Sequence, residues 1–308
     1  MKIEYKHPIG VYAAWRLNET ERAKSSSGGI ASVISEKWIE NGGVVYGASF
    51  VKPFGFQHIR CTKKEHLDKI RGSKYVFSSI KMVLSLIEED LNNDKKVLFI
   101  GTPCQVAGIE SRFSKYNEQL VCIDLLCHGT PNENILKDSI DEEIIINGID
   151  NVIFRNQGKY EFSIIRNNQI VYKRQLKKDL YMKGFFKGVF NRDCCYKCAF
   201  SKPYRISDLT LGDFWGVDLS AIGTIMEKGV SMLLVNTAKG FDVLNLVKDE
   251  IVMKKRPYEE ATSSNKPLNE PVKQSWRYDV FKMLYPKFGF KWAAIFAMPD
   301  IVLKNLLK

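Results

Sequence analysis

No stretch of this chain stays apolar for the roughly 20 residues that a bilayer-crossing helix needs. Its start, MKIEYKHPIG, lacks the basic-then-apolar layout of an export signal. These two absences predict a cytoplasmic protein. No internal repeat and no long low-complexity tract is present, which sets aside solenoids and disordered linkers. Neither G-x-G-x-x-G after a strand nor G-x-x-x-x-G-K-[ST] occurs, so a standard dinucleotide fold and a P-loop NTPase are disfavoured. The cysteines number seven, an odd count. In a reducing compartment they read as buried thiols, metal ligands or a reactive thiol, not as a disulfide framework.

The bulk of the chain is ordinary for a globular protein: 308 residues, 45% hydrophobic and 26% charged. A formal charge of +11 favours anionic partners, whether nucleic acid, a membrane surface or phosphate-bearing ligands. The pattern along the chain predicts an α/β (α+β) fold. A mixed sheet core with flanking helices is followed by an irregular, partly helical C-terminal tail. Helical periodicity marks residues 30–41 and 80–91, and an aromatic-rich helix spans 180–190. Buried strands are expected at 44–50, 97–100, 121–126, 209–211 and 232–235. Residues 151–173 read as a small hairpin region. Thr130 to Glu133, with Pro131 between, has the pattern of a capping box. Residues 254–275 are polar and read as irregular.

Cys195 and Cys198 form a C-x-x-C pair, a spacing that lets two thiolates face one metal centre. Cys194 beside them is a poorer candidate, because adjacent side chains point apart. Cys104 and Cys127 each follow a buried strand that ends in a Pro- or Gly-bearing turn. Strand ends of an α/β sheet gather at one edge, where ligands bind. These four thiols suit a cluster built into the fold. A zinc site or a thiol redox pair is the plainer reading of a lone C-x-x-C. Cys61 and Cys122 read as packing residues.

Ser25-Ser26-Ser27-Gly28-Gly29 precedes a helix. Glycine permits close backbone approach, and a helix start attracts phosphate. A simple N-cap is the competing reading.

Six segments in order resemble the beta-subunit family of coenzyme F420 hydrogenases and dehydrogenases. They are SSSGG (25–29), GSKYVFSS (72–79), VLFIGTPCQVAGI (97–109), DLLCHGTP (124–131), CCYKCAF (194–200) and SDLTLGDFWG (207–216). The resemblance implies an iron–sulfur flavoprotein that passes electrons between a 4Fe-4S cluster, FAD and a small anionic substrate. Cys104, Cys127, Cys195 and Cys198 then look like the cluster ligands. Ser26, Ser27, Gly28, Gly29, Ser73, Lys74 and Tyr75 look like the flavin pocket. Gly101, Thr102 and Gln105 lie beside the first ligand, and Asp208, Gly212, Asp213 and Trp215 look like a further wall. His128, Asp213 and Lys74 are the candidate catalytic side chains. His128 would donate a proton or hydrogen-bond the backbone, Asp213 would orient a ring or cap the backbone, and Lys74 would hold negative charge. Phe77 stands where the family's motif has glutamine.

The resemblance divides the chain into a flavin-binding half (1–95), a cysteine-bearing half (96–260) and a tail (261–308). Full-length relatives often begin with a ferredoxin-like segment that carries its own clustered cysteines; with no cysteine before Cys61, that segment is expected to be absent. Electrons are therefore expected from a separate donor, a ferredoxin or a reduced deazaflavin. The reading favoured for the chain is a reductase in surface polysaccharide or nucleotide-sugar metabolism, with a coenzyme F420-dependent beta subunit as the alternative. A catalytically silent electron carrier is a further reading. A zinc-stabilised nucleic-acid-binding protein or a nucleotide-sugar transferase is the rival from another class. Nucleic acid itself is not an expected partner, because the basic residues are spread throughout. The apolar, lysine-dotted tail from Phe288 to Lys308 reads first as a docked helix or a subunit contact, and otherwise as a peripheral membrane contact.

Overall fold

The computed structural model describes residues 4–156 and 158–301. Its frame is an eight-stranded mixed sheet. The strands are β1 (Gly10–Arg16), β2 (Val44–Val51), β3 (Gly55–Cys61), β4 (Val97–Gly101), β5 (Leu120–Leu125), β9 (Leu209–Asp213), β10 (Ser231–Val235) and β11 (Ile251–Lys255). Across the sheet they run in the order β11-β1-β10-β9-β5-β4-β2-β3. β2, β4, β5 and β9 are parallel, and the outer pairings are antiparallel. A second, antiparallel sheet of β6 (Asn151–Asn156), β7 (Lys159–Arg166) and β8 (Gln169–Gln175) stands apart. Asn167 and Asn168 turn β7 into β8 with φ of 50° and 60°, a conformation asparagine tolerates.

The central strands read as continuous apolar runs because both faces are covered. Leu98, Ile100, Val121 and Ile123 pack with Ile30, Val33, Ile34 and Trp38 of the helix Ile30–Glu40. Their alternates Val97, Phe99, Leu120 and Cys122 meet Ile87 and Leu91 of the helix Leu84–Asn92. The same face receives Val106 and Ile109 of the helix Pro103–Arg112. Cys61 and Cys122 are fully buried in these layers, as packing residues. The eight-stranded sheet draws strands from both sides of residue 95.

Two expectations need correction. Thr130 is not a helix cap. The helix Glu133–Asp138 starts at Asn132, whose side chain accepts from the Asn134 N–H, and Glu133 accepts instead from the Phe56 N–H at 3.2 Å. The stretch 254–275 is not irregular throughout, since it contains the end of β11 and the helix Tyr258–Ser264. β1 is a central strand of the antiparallel half, between β10 and β11. The tail forms the helical stretch Trp276–Ala297, and its residues 302–308 lie outside the described residues.

Candidate functional site

The parallel strands end at one edge of the sheet, and most of the candidate residues lie there. β4 ends at Gly101. The helix Pro103–Arg112 begins at once, with Thr102 as its cap. Gln105 Oε1 accepts from the Thr102 N–H at 2.9 Å, and its amide nitrogen donates to the Ser78 carbonyl at 2.6 Å. Gln105 is therefore a buried brace of this turn, and Cys104 beside it is exposed. The Thr102 hydroxyl lies 3.2 Å from the Cys104 sulfur.

β5 ends two residues before Cys127. Burial pushes this thiol up to about 12. The thiols of Cys104, Cys195 and Cys198 add to the effect, and an N–H from Gly129 at 3.4 Å opposes it. The Cys127 thiol therefore lies within electrostatic reach of the other three candidate ligands. Burial likewise pushes Cys195 up to about 11, against hydrogen bonding from Thr130. Among the described residues no three His, Cys, Asp or Glu side chains form a group that could hold a metal ion. Four thiols, with hydrogen-bonding groups on the sulfurs of Cys104, Cys127 and Cys195, nonetheless have the donor chemistry of an iron–sulfur group.

Sequence reasoning missed the residue that joins the cysteine segments. Arg205 is fully buried and donates to Asp124 Oδ2 at 2.8 Å, three residues before Cys127. It also donates to the carbonyls of Phe200 and Lys202 at 3.3 and 3.0 Å, just past Cys198. Nothing in the sequence marks it, because Asp124 is 81 residues away.

The Ser/Gly loop reaches the same edge from β1. Gly28 lies so close to the sheet that a Cβ would stand 2.3 Å from the Ala14 carbonyl oxygen. Its N–H donates to Ser231 Oγ at 3.0 Å. Gly29, at φ 84°, caps the helix Ile30–Glu40. Ser27 donates to the Val230 carbonyl at 3.0 Å. Ser26 Oγ accepts from the Ser73 N–H at 2.8 Å, so two separate parts of the expected flavin pocket touch. The Lys74 ammonium donates to the carbonyls of Lys69, Arg71 and Gly72. Burial lowers it to about 7.

Tyr75 stacks on Phe185 at 4.8 Å, and Phe185 meets the His128 ring edge-on at 5.9 Å. This row of rings connects the Ser73 segment to Cys127. Burial pushes the Tyr75 phenol up to about 12, although Arg155 opposes it. The His128 ring lies 3.1 Å from the Phe186 carbonyl. Burial lowers its pKa, and a backbone contact of this kind is the structural role weighed for it. Phe77 lies under the Arg192 guanidinium at 4.1 Å.

Asp213 closes β9. Arg155 of β6 donates to Asp213 Oδ2 at 2.6 Å. Arg155 also lies over the Tyr160 ring at 4.6 Å. Trp215 is exposed. Asp213, Trp215, Arg155, Lys159 and Gly229 line a cavity of about 210 Å³. Asp208 is no wall of this cavity. It is buried, accepts from the Cys122 N–H at 2.9 Å and pairs with Lys239 at 3.3 Å.

Residues 11–85 match the N-terminal family model of the coenzyme F420 hydrogenase/dehydrogenase beta subunit. Residues 94–261 match the model of the C terminus of that same beta subunit. No curated protein matches. In fold, the chain is similar to one from the F420-reducing [NiFe] hydrogenase complex of Methanosarcina barkeri, solved as a xenon derivative. The TM-score is 0.58 at 16% identity, over 86% of this chain and 88% of that one. The family is one of oxidoreductases, and among the readings of the sequence the matches favour the coenzyme F420 beta subunit over the polysaccharide reductase. With both halves of the family present in order across the sheet edge described above, the chain belongs to the coenzyme F420 hydrogenase/dehydrogenase beta-subunit family.

Proposed function

We propose that this protein is an iron–sulfur flavoprotein oxidoreductase. Its cluster ligands are Cys104, Cys127, Cys195 and Cys198, and its FAD lies along the 26–29 and 73–75 segments. The small anionic substrate that the family points to first is the deazaflavin coenzyme F420. Reduction of a nucleotide sugar or polysaccharide precursor ranks second. What supports this reading is the family match over both halves of the chain, together with the electrostatic influence of Cys104, Cys195 and Cys198 on the Cys127 thiol.

A bound cluster would supply single-electron transfer and a bound flavin two-electron transfer. The chain's own share is placement. Iron coordination would deprotonate thiols that burial now holds neutral. Thr102, Gly129 and Thr130 offer hydrogen bonds to sulfur, which tune potential. The backbone at Gly28 and Gly29, bare of side chains, suits close approach of a phosphate-bearing ligand. Lys159, beside the Arg155–Asp213 ion pair, gives the cavity a cation that suits an anionic substrate. Partner subunits or a ferredoxin would bring the electrons.

The test is anaerobic titration of the purified protein with reduced F420 and, separately, with reduced ferredoxin. Bleaching of a flavin band by either donor supports the reading. A protein that contains cluster and flavin but responds to neither is an electron carrier for some other partner, and the substrate assignment fails.

A further inference from the structure

The last described helical stretch is a hairpin. Gly289, at φ 69° and ψ 179°, breaks Trp276–Ala297 into two arms, 276–288 and 290–297. Arg277 Nη1 donates to the Ala297 carbonyl at 3.0 Å and to Asp300 at 2.8 Å. In one straight helix residues 277 and 297 would stand about 30 Å apart. Phe281 and Phe290 meet across the seam at 6.0 Å. The inner face is docked: Phe281, Phe290, Ala293, Ala294 and Ala297 are buried in the cluster around the small sheet. Tyr285 donates to Asp138 at 2.5 Å and ties down the first arm.

The turn end has the opposite character. Phe288 is 57% exposed and Trp292 54%, with Met283 exposed further along the first arm; Trp276 and Phe296 are exposed toward the open end. Lys287 and Lys291 stand exposed beside Phe288 and Trp292. No acidic residue occurs between Asp279 and Asp300. A protein–protein interface depletes lysine at its core. Aromatic side chains flanked by lysines on a short helical element are instead the composition of an interfacial membrane anchor. No described helix is long and apolar enough to cross a membrane, so contact would be with one leaflet only.

We propose that the turn end of this hairpin docks on an anionic lipid surface. Phe288 and Trp292 enter at headgroup level, and Lys287 and Lys291 face lipid phosphates. The proposal is independent of the redox reading.

The test is co-sedimentation of the full-length protein with vesicles of pure phosphatidylcholine and of an equal mixture with phosphatidylglycerol. Two double variants accompany the wild type: Phe288→Ser with Trp292→Ser, and Lys287→Gln with Lys291→Gln. All four positions are exposed, so folding should survive, and circular dichroism checks it. The wild type is expected to pellet with the anionic vesicles and not with the neutral ones. The lysine pair should weaken binding about 30-fold, from roughly 1 kcal/mol per lysine. The serine pair should abolish it. A wild type that stays in the supernatant overturns the proposal, as does undiminished binding by the lysine pair or any binding retained by the serine pair. Sedimentation velocity adds one more outcome: self-association dispersed by the serine pair would assign the patch to a second copy and also overturn it.

Discussion

Arg155 donates to Asp213 at 2.6 Å, and this contact joins the small antiparallel sheet to the edge of the large one. Both side chains are largely withdrawn from water, and Arg155 also covers Tyr160. Removing one partner leaves the other charge without its counter-ion. Arg155→Met should cost roughly 3 kcal/mol, as breaking buried pairs does, and urea unfolding measures it. In the proposed site the same change should raise the KM for an anionic substrate more than it lowers kcat. Equal loss in both would mean that Arg155 acts on structure alone.

Arg205 and Asp124 form the more deeply buried pair, 1% and 0% exposed. They hold the segment after Cys198 against the strand that leads to Cys127. Arg205→Met should cost about 3–5 kcal/mol. Arg205→Lys keeps the charge but not the fork that reaches two carbonyls and Thr210. It should therefore keep the fold and still hold iron less firmly on titration with a chelator. Iron retention equal to wild type in Arg205→Lys would limit the residue to folding.

The glycines separate into two kinds. Gly28→Ala drives a methyl into the Ala14 carbonyl and the Ser231 backbone, so the loop must move and stability must fall. Gly108, within the helix Pro103–Arg112, has open space where its Cβ would stand. Gly108→Ala should stabilise by about 0.5–1 kcal/mol through helix propensity. Thermal melts of the two variants should shift in opposite directions.

His58 supplies a pH dependence with a definite sign. Its ring is buried between the Ser78 hydroxyl and the Ile100 carbonyl, both at 3.0 Å. Burial lowers its pKa from 6.5 to about 4. The unfolded chain therefore binds the proton first as pH falls. The stability that depends on a neutral His58 is fully present above pH 6.5 and is lost progressively toward pH 4. Within that window the wild type should lose up to about 1.4 kcal/mol per pH unit from this group. Urea midpoints of His58→Gln should show a shallower slope.

Much of the frame was legible in the residues. Val97–Ile100 and Val121–Ile123 could be read as two-faced strands because covered parallel strands have no polar side to hide. The turn chemistry of Asn167-Asn168 was equally plain. β1 and β11 were not legible, because they pair antiparallel with strands far away in sequence, and nothing local records that register. Thr130 misled because a capping box is a local pattern, while tertiary contact gave Glu133 to Phe56. The four cysteines were individually visible. Arg205 and Arg155 were not, since an arginine's partner across the fold leaves no trace at its own position. The hairpin at Gly289 was also hidden, because one glycine in an apolar run does not reveal which way the chain turns.

The central claim is that Cys127 and its three neighbours hold an iron–sulfur cluster. The direct measurement is iron, zinc and flavin per chain in anaerobically purified wild type, Cys127→Ser and Cys194→Ser. The account predicts about four irons with bound flavin in the wild type and in Cys194→Ser, as a cubane on four thiolates requires, and little iron in Cys127→Ser. A colourless wild type that carries zinc and no flavin would contradict it, as would Cys127→Ser with its full iron.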